Sequence, residues 1–71
     1  MADLPNSNVR RLLGAGIGDM RISAEAVTVG ISAAEAFLKL LGERAASVAR
    51  SHGRKTVMPE DLDAARRQVL P

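Results

Sequence analysis

The chain has 71 residues, which makes a single domain, 1–71, and a monomer of this size buries only about 60% of the surface its unfolded chain exposes. With no cysteine and one histidine, His52, neither a disulfide framework nor a zinc site can staple it, so oligomerisation is the remaining route to stability. An apolar fraction of 46% excludes general disorder, one Phe without Tyr or Trp argues against base stacking, and ten basic against eight acidic residues leave a net charge of only +2, so the placement of charge matters more than its sum.

The first predicted element is a short helix, roughly Ser7 to Ala15. It follows Leu4-Pro5-Asn6, a helix-start pattern with Asn6 or Ser7 as N-cap. Val9, Leu12 and Leu13 have the three- and four-residue spacing of one apolar face. Gly14, Gly16 and Gly18 are expected to end it. Their GAGIG stretch lacks GxGxxG spacing, a preceding strand and a Walker lysine, so it reads as a helix stop rather than a phosphate loop.

The second element is a long helix, from about Ala24 to Arg50 or Ser51. Ser23 is the expected N-cap, Glu25 suits the first turn, and Gly53 follows the end. Val27, Ile31, Ala34, Leu38, Leu41, Ala45 and Val48 recur at helical steps, widened by Phe37 and Leu40. At 1.5 Å per residue this helix is about 40 Å long, and two short helices cannot cover its stripe. A second copy of the chain could. Gly30 and Gly42 interrupt the helix, each at about 1 kcal/mol relative to Ala. Either they permit close helix approach or they are simply tolerated.

The third element is a short helix beginning at Pro59, with Glu60 and Asp61 suited to its first turn and Arg66 and Arg67 to its last. Leu62, Ala65 and Val69 mark its expected buried face. The β character of Thr56 and Val57 predicts a short extended stretch before it. On these residues alone, Arg10-Arg11 could be a solvated face, Arg54-Lys55 an ordinary loop pair and Arg54–Asp61 an exposed ion pair.

The result is an all-α pattern: short helix, loop, long central helix, loop, short helix. In register with it, Ala49-Arg50-Ser51-His52-Gly53-Arg54-Lys55-Thr56-Val57-Met58-Pro59-Glu60-Asp61 resembles the second-loop motif of archaeal histones. Val57-Met58-Pro59 is also similar to a stretch of a eukaryotic core histone. Leu4-Pro5, Val9, Arg11, Leu12-Leu13 and Arg21-Ile22-Ser23 fall where that family keeps its first helix and first loop. From Leu4 to about Val69 the chain thus resembles the histone fold, and archaeal histones above all.

The resemblance implies a head-to-tail handshake dimer whose core is Val27, Ile31, Ala34, Phe37, Leu38, Leu41, Ala45 and Val48. It implies double-stranded DNA as partner, with Arg11 entering the minor groove, Arg21 in the first loop, and Lys55 and Thr56 on phosphates. Arg10 joins this set by its place beside Arg11. Arg54 and Asp61 match the family's structural ion pair bracing the second loop. A contact between dimers would use Val48, Ser51, Asp61 and Ala64. Here the family's histidine position is Ser51 and a usual large apolar position is Ala64, so that contact buries little. Gly14, Ser47 and Met58 stand where the family is often basic, which lowers the expected DNA affinity or ties it to low salt.

The expected function is a non-sequence-specific, histone-like homodimer that compacts, bends or wraps chromosomal DNA. The alternative is a histone-fold interaction subunit that pairs with another chain and contacts DNA weakly or not at all. A ribbon–helix–helix repressor needs an N-terminal strand, and Leu4 to Leu13 does not alternate as one. No nucleophile–base set, metal-ligand cluster or cofactor motif occurs, so no enzyme, cofactor, metal or small-molecule substrate is expected. No stretch matches a membrane span or a secretory signal, so the expected place is the cytoplasm, on the nucleoid or chromosome, and no tails are expected beyond the fold.

Overall fold

The computed structural model describes residues 5–70, so Leu4, part of the expected helix start, lies outside the described residues. Three helices follow one another: α1 (Asn6–Ile17), α2 (Ala24–Ser51) and α3 (Pro59–Val69). Among the described residues there is no strand, and Thr56, expected to share an extended stretch with Val57, lies in a bend with Lys55. The chain divides into two compact units, Met1–Ala36 and Phe37–Pro71, and α2 contributes to both.

In the first unit, α1 begins one residue earlier than the spacing of its apolar residues suggests. Pro5, extended at φ −63° and ψ 130°, is its N-cap, and the Pro5 carbonyl accepts the Val9 N–H at 3.2 Å. No side chain caps this end, so Asn6 and Ser7 lie inside the helix rather than before it. The helix also runs through Gly14 and Gly16, which were expected to stop it, and ends at Gly18. The physical distinction is backbone sign. Only Gly18, at φ +67°, takes the conformation that L side chains rarely adopt, whereas Gly14 and Gly16 remain helical at a cost of about 1 kcal/mol each.

Helix α1 packs on the first half of α2 through Val9 and Leu13. A Cβ built on Gly30 would lie 2.7 Å from Leu13 Cδ1 and 3.4 Å from Val9 Cγ1, so α1 side chains pack directly against this glycine and a methyl there would displace the end of Leu13. Gly42 has nothing within 4 Å of the same construction. Of the two helix-interior glycines, Gly30 is therefore a close-approach site in this chain and Gly42 is not. Leu12, expected on the packed face, points away and is 63% exposed. Val9 and Val27 are the unit's buried apolar residues.

Ser23 opens α2 as its type predicts: Ser23 Oγ accepts the Ala26 N–H at 3.0 Å, and the Ser23 carbonyl accepts the Val27 N–H at 3.1 Å. At the other end the Gly53 N–H donates to the Arg50 carbonyl at 2.9 Å and the Arg54 N–H to the Ala49 carbonyl at 3.0 Å. With Gly53 at φ +73°, this pair of bonds is a Schellman closure. It stops α2 and sets the direction in which Arg54 leaves it.

The second unit is closed by small side chains. Ala45 and Ala49, one turn apart on α2, and Ala65 on α3 are buried, together with the charged Asp61. Leu62, expected on the buried face of α3, is 41% exposed, and Val69 is half-buried. The i, i+3, i+4 pattern marks an apolar face but not what lies against it.

Candidate nucleic-acid interface

The second loop is organised by one carboxylate. Asp61 is the third residue of α3, after Pro59 supplies a preset helical φ and Met58 is held extended ahead of it at φ −106° and ψ 164°. From there Asp61 Oδ2 accepts the Met58 N–H at 2.8 Å, satisfying a donor that the helix start leaves orphaned. The same carboxylate accepts both terminal nitrogens of Arg54, Nη1 at 2.6 Å and Nη2 at 2.8 Å. The two side chains are 33% and 1% exposed.

These contacts shift both groups in the direction of charge. The Arg54 guanidinium, then the Met58 N–H, hold the Asp61 carboxyl at about 2, well below the usual carboxylate range. The hydrogen bonds to Asp61 raise Arg54 in turn. The loop between Gly53 and Met58 is thus anchored by the Schellman closure at one end and by this two-point ion pair at the other. Lys55 and Thr56, both exposed, sit between the anchors.

In the first unit, Arg10 and Arg11 are exposed on α1, and Arg21 is exposed in the loop that leads to Ser23. Among the described residues, the ion pairs are Arg54–Asp61, Arg66–Asp63 and Arg67–Asp63. Arg10, Arg11, Arg21 and Lys55 take part in none of them. The basic end of α3 is offset differently: Asp63 accepts Arg66 at 2.8 Å and also Arg67, and these partners lower the Asp63 carboxyl. Reading α3 as sequence misses this local neutralisation, although the i, i+3 and i, i+4 spacing of Asp63 to the arginines carries the signal.

The residues expected to form a dimer core separate by exposure. Val27 and Ala45 are already buried inside their own units; Ile31, Ala34, Phe37, Leu41 and Val48 are half-buried, and Leu38 is 52% exposed. Of the residues grouped as a contact between dimers, Ser51 is exposed and its hydroxyl donates to the Val48 carbonyl at 2.7 Å, while Val48 and Ala64 are half-buried. Asp61 has no exposed surface, and both its oxygens are bonded inside the unit. His52 Nδ1 lies 3.0 Å from the same Val48 carbonyl, at the end of α2.

Among the described residues no group of three or more His, Cys, Asp or Glu is placed to hold a metal ion, and no helix is long and apolar enough to cross a membrane. A family model described as "histone-like transcription factor (CBF/NF-Y) and archaeal histone" matches residues 2–65. No curated protein matches the chain.

Proposed function

The chain belongs to the family of histone-like transcription factors (CBF/NF-Y) and archaeal histones, and on that premise we propose that it is a homodimer that binds double-stranded DNA without regard to sequence and compacts, bends or wraps it. The observation that carries this reading is the family match over most of the chain, joined to the exposed cations Arg10, Arg11, Arg21 and Lys55, which are among the seven outside every described ion pair. Arg10, Arg11, Arg21, Lys55 and the hydroxyl of Thr56 are suited to phosphate oxygens, contacts that position a protein and carry no sequence information. Arginines entering a minor groove act in the same sequence-independent way. The place of action is then the chromosome or nucleoid, the role is not enzymatic, and no cofactor is needed.

A second copy is supported by the size of the core. Val9 and Val27 are the largest fully or nearly buried apolar side chains, and each contributes about 1.5–3 kcal/mol. Ordering the backbone costs about 1–2 kcal/mol per residue. Covering Leu38, Leu62 and the half-buried stripe of α2 is the available source of the difference. The resemblance supplies the head-to-tail handshake arrangement, with Ile31, Phe37, Leu38 and Leu41 central to it. The pair Arg54–Asp61 braces the second loop so that Lys55 and Thr56 meet phosphate in a fixed geometry. The thin set Val48, Ser51 and Ala64 makes association beyond the dimer weak.

One observation favours a second reading, an interaction subunit that pairs with a different chain. The net charge is only +2, and Asp61 and Asp63 together neutralise three of the arginines. Fluorescence anisotropy with two labelled duplexes of unrelated sequence, titrated across a salt series, separates the readings. Similar affinities that fall steeply with salt support the histone-like role, with a slope of about 0.9 for each phosphate neutralised. Binding to neither duplex at low salt favours the interaction subunit, and binding to one alone means a sequence-specific regulator.

A further inference from the structure

The chain's single histidine stands exposed in the turn that follows α2, with its ring tied to the end of that helix. His52 Nδ1 lies 3.0 Å from the Val48 carbonyl, one of the last carbonyls of α2, which have no partner within the helix. The Ser51 hydroxyl donates to the same carbonyl at 2.7 Å, so its hydrogen is not free for Nδ1, 3.4 Å away. A carbonyl only accepts, so Nδ1 carries the hydrogen in this bond. The neutral ring then has a bare Nε2, an acceptor, and Nε2 is where a second proton arrives. The backbone holds the same arrangement. The His52 N–H donates to the Ala49 carbonyl at 3.1 Å, and Gly53, at φ +73°, closes the helix behind it.

We infer that protonated His52 is a further phosphate ligand of the second loop, donating from Nε2, so that DNA binding by this chain takes up a proton and tightens on acidification. This rests on the DNA-binding reading and adds a residue and a control to that site. Phosphate oxygens only accept, so the neutral ring meets them lone pair to lone pair, whereas the imidazolium brings both a donor and a charge. A cation at the C-terminal end of a helix also suits its dipole. The charged groups nearest along the chain are Arg50 on α2, Arg54 and Lys55 in the loop, and Glu60 and Asp61 at the start of α3. The three cations oppose the proton and the two carboxylates favour it, and the His52 charge in turn helps to hold Asp61 ionised. A phosphate brought to Lys55 and Thr56 reverses this balance, so DNA and proton assist each other.

Histidine is the side chain that ordinarily changes charge between about pH 5 and 8. Asp61 and Asp63 are held below the ordinary carboxylate range and stay ionised across that window. The test is anisotropy of the full chain with two duplexes of unrelated sequence, each carrying a dye that does not titrate, at about pH 7.5 and about pH 5.5 and matched ionic strength. The parent should bind both duplexes about threefold or more tightly at the lower pH, the scale of one exposed charge contact. Its salt slope should steepen there by about 0.9 for each phosphate gained. His52→Asn keeps a donor for the Val48 carbonyl but has no Nε2, and it should bind equally at the two pH values. His52→Lys carries its charge throughout and should bind more tightly than the parent at the higher pH, without pH dependence. That result supports the inference even where His52→Asn is poorly folded.

A parent that binds both duplexes equally at the two pH values overturns the inference and leaves the DNA-binding reading standing. So does a pH dependence that His52→Asn retains, or one that sedimentation equilibrium without DNA traces to tighter self-association at the lower pH. Binding to neither duplex at either pH overturns the DNA-binding reading, and this inference with it.

Discussion

Asp61 receives the Arg54 guanidinium through two parallel hydrogen bonds across seven residues of chain while also closing the first turn of α3 through Met58. One carboxylate therefore fixes a loop end, a helix start and the only cation that the second loop turns inward. Because its folded value, about 2, lies below the ordinary 3.8, the folded state binds this proton less readily than the unfolded chain does. The stability so gained is present above about pH 4 and is lost as pH falls toward 2. Asp61→Asn should lower the urea midpoint at pH 7 and flatten its fall between about pH 4 and 2, the remaining slope coming chiefly from Asp63. Urea midpoints of both proteins across that range check this.

Gly30 should gain less than Gly42 from alanine. At Gly42 the added methyl meets open space within the chain, and the helix gains up to about 1 kcal/mol. At Gly30 it meets Leu13 Cδ1 at 2.7 Å, so the end of the Leu13 side chain must shift, and that rearrangement offsets part of the same gain. Thermal or urea unfolding of the two variants decides it. A destabilising Gly42→Ala would mean that a second chain approaches α2 closely there.

Ser23→Ala removes the acceptor for the Ala26 N–H and should cost about 1 kcal/mol, while Ser23→Asp should retain most of it. Equilibrium unfolding at neutral pH measures both.

If DNA is the partner, Arg11→Ala and Lys55→Ala should each weaken binding equally for unrelated duplexes and reduce the salt slope by about one. Asp63→Asn should act in the other direction, because it releases Arg66 and Arg67 from their shared carboxylate and raises net charge by one. Anisotropy titrations of the three variants at several salt concentrations test the set.

The elements that local chemistry marks twice were the ones readable from sequence. Helix α2 has Ser23 before it and Gly53 after it and keeps the expected bounds, and α3 starts at Pro59 as expected. The end of α1 was harder to read because three glycines look alike as letters, and only the sign of φ at Gly18 sets it apart. Burial was the least legible property. Val27 and Leu38 belong to one apolar stripe, yet the first is buried within its own unit and the second is half uncovered. Periodicity names a face but not its neighbour. The basic residues of the candidate interface were legible as types, whereas the quenching of Arg66 and Arg67 by Asp63 depends on rotamers.

The division of the chain into Met1–Ala36 and Phe37–Pro71 also bears on how it folds. Each unit is a contiguous half of the sequence, so its internal contacts close loops of fewer than 36 residues. Low contact order of this kind permits formation in microseconds to milliseconds. If the chain is the proposed homodimer, the slower event is the encounter of two copies, and its rate rises with protein concentration. On that reading, refolding by stopped-flow dilution should show an early helical phase indifferent to concentration and a later one that accelerates with it.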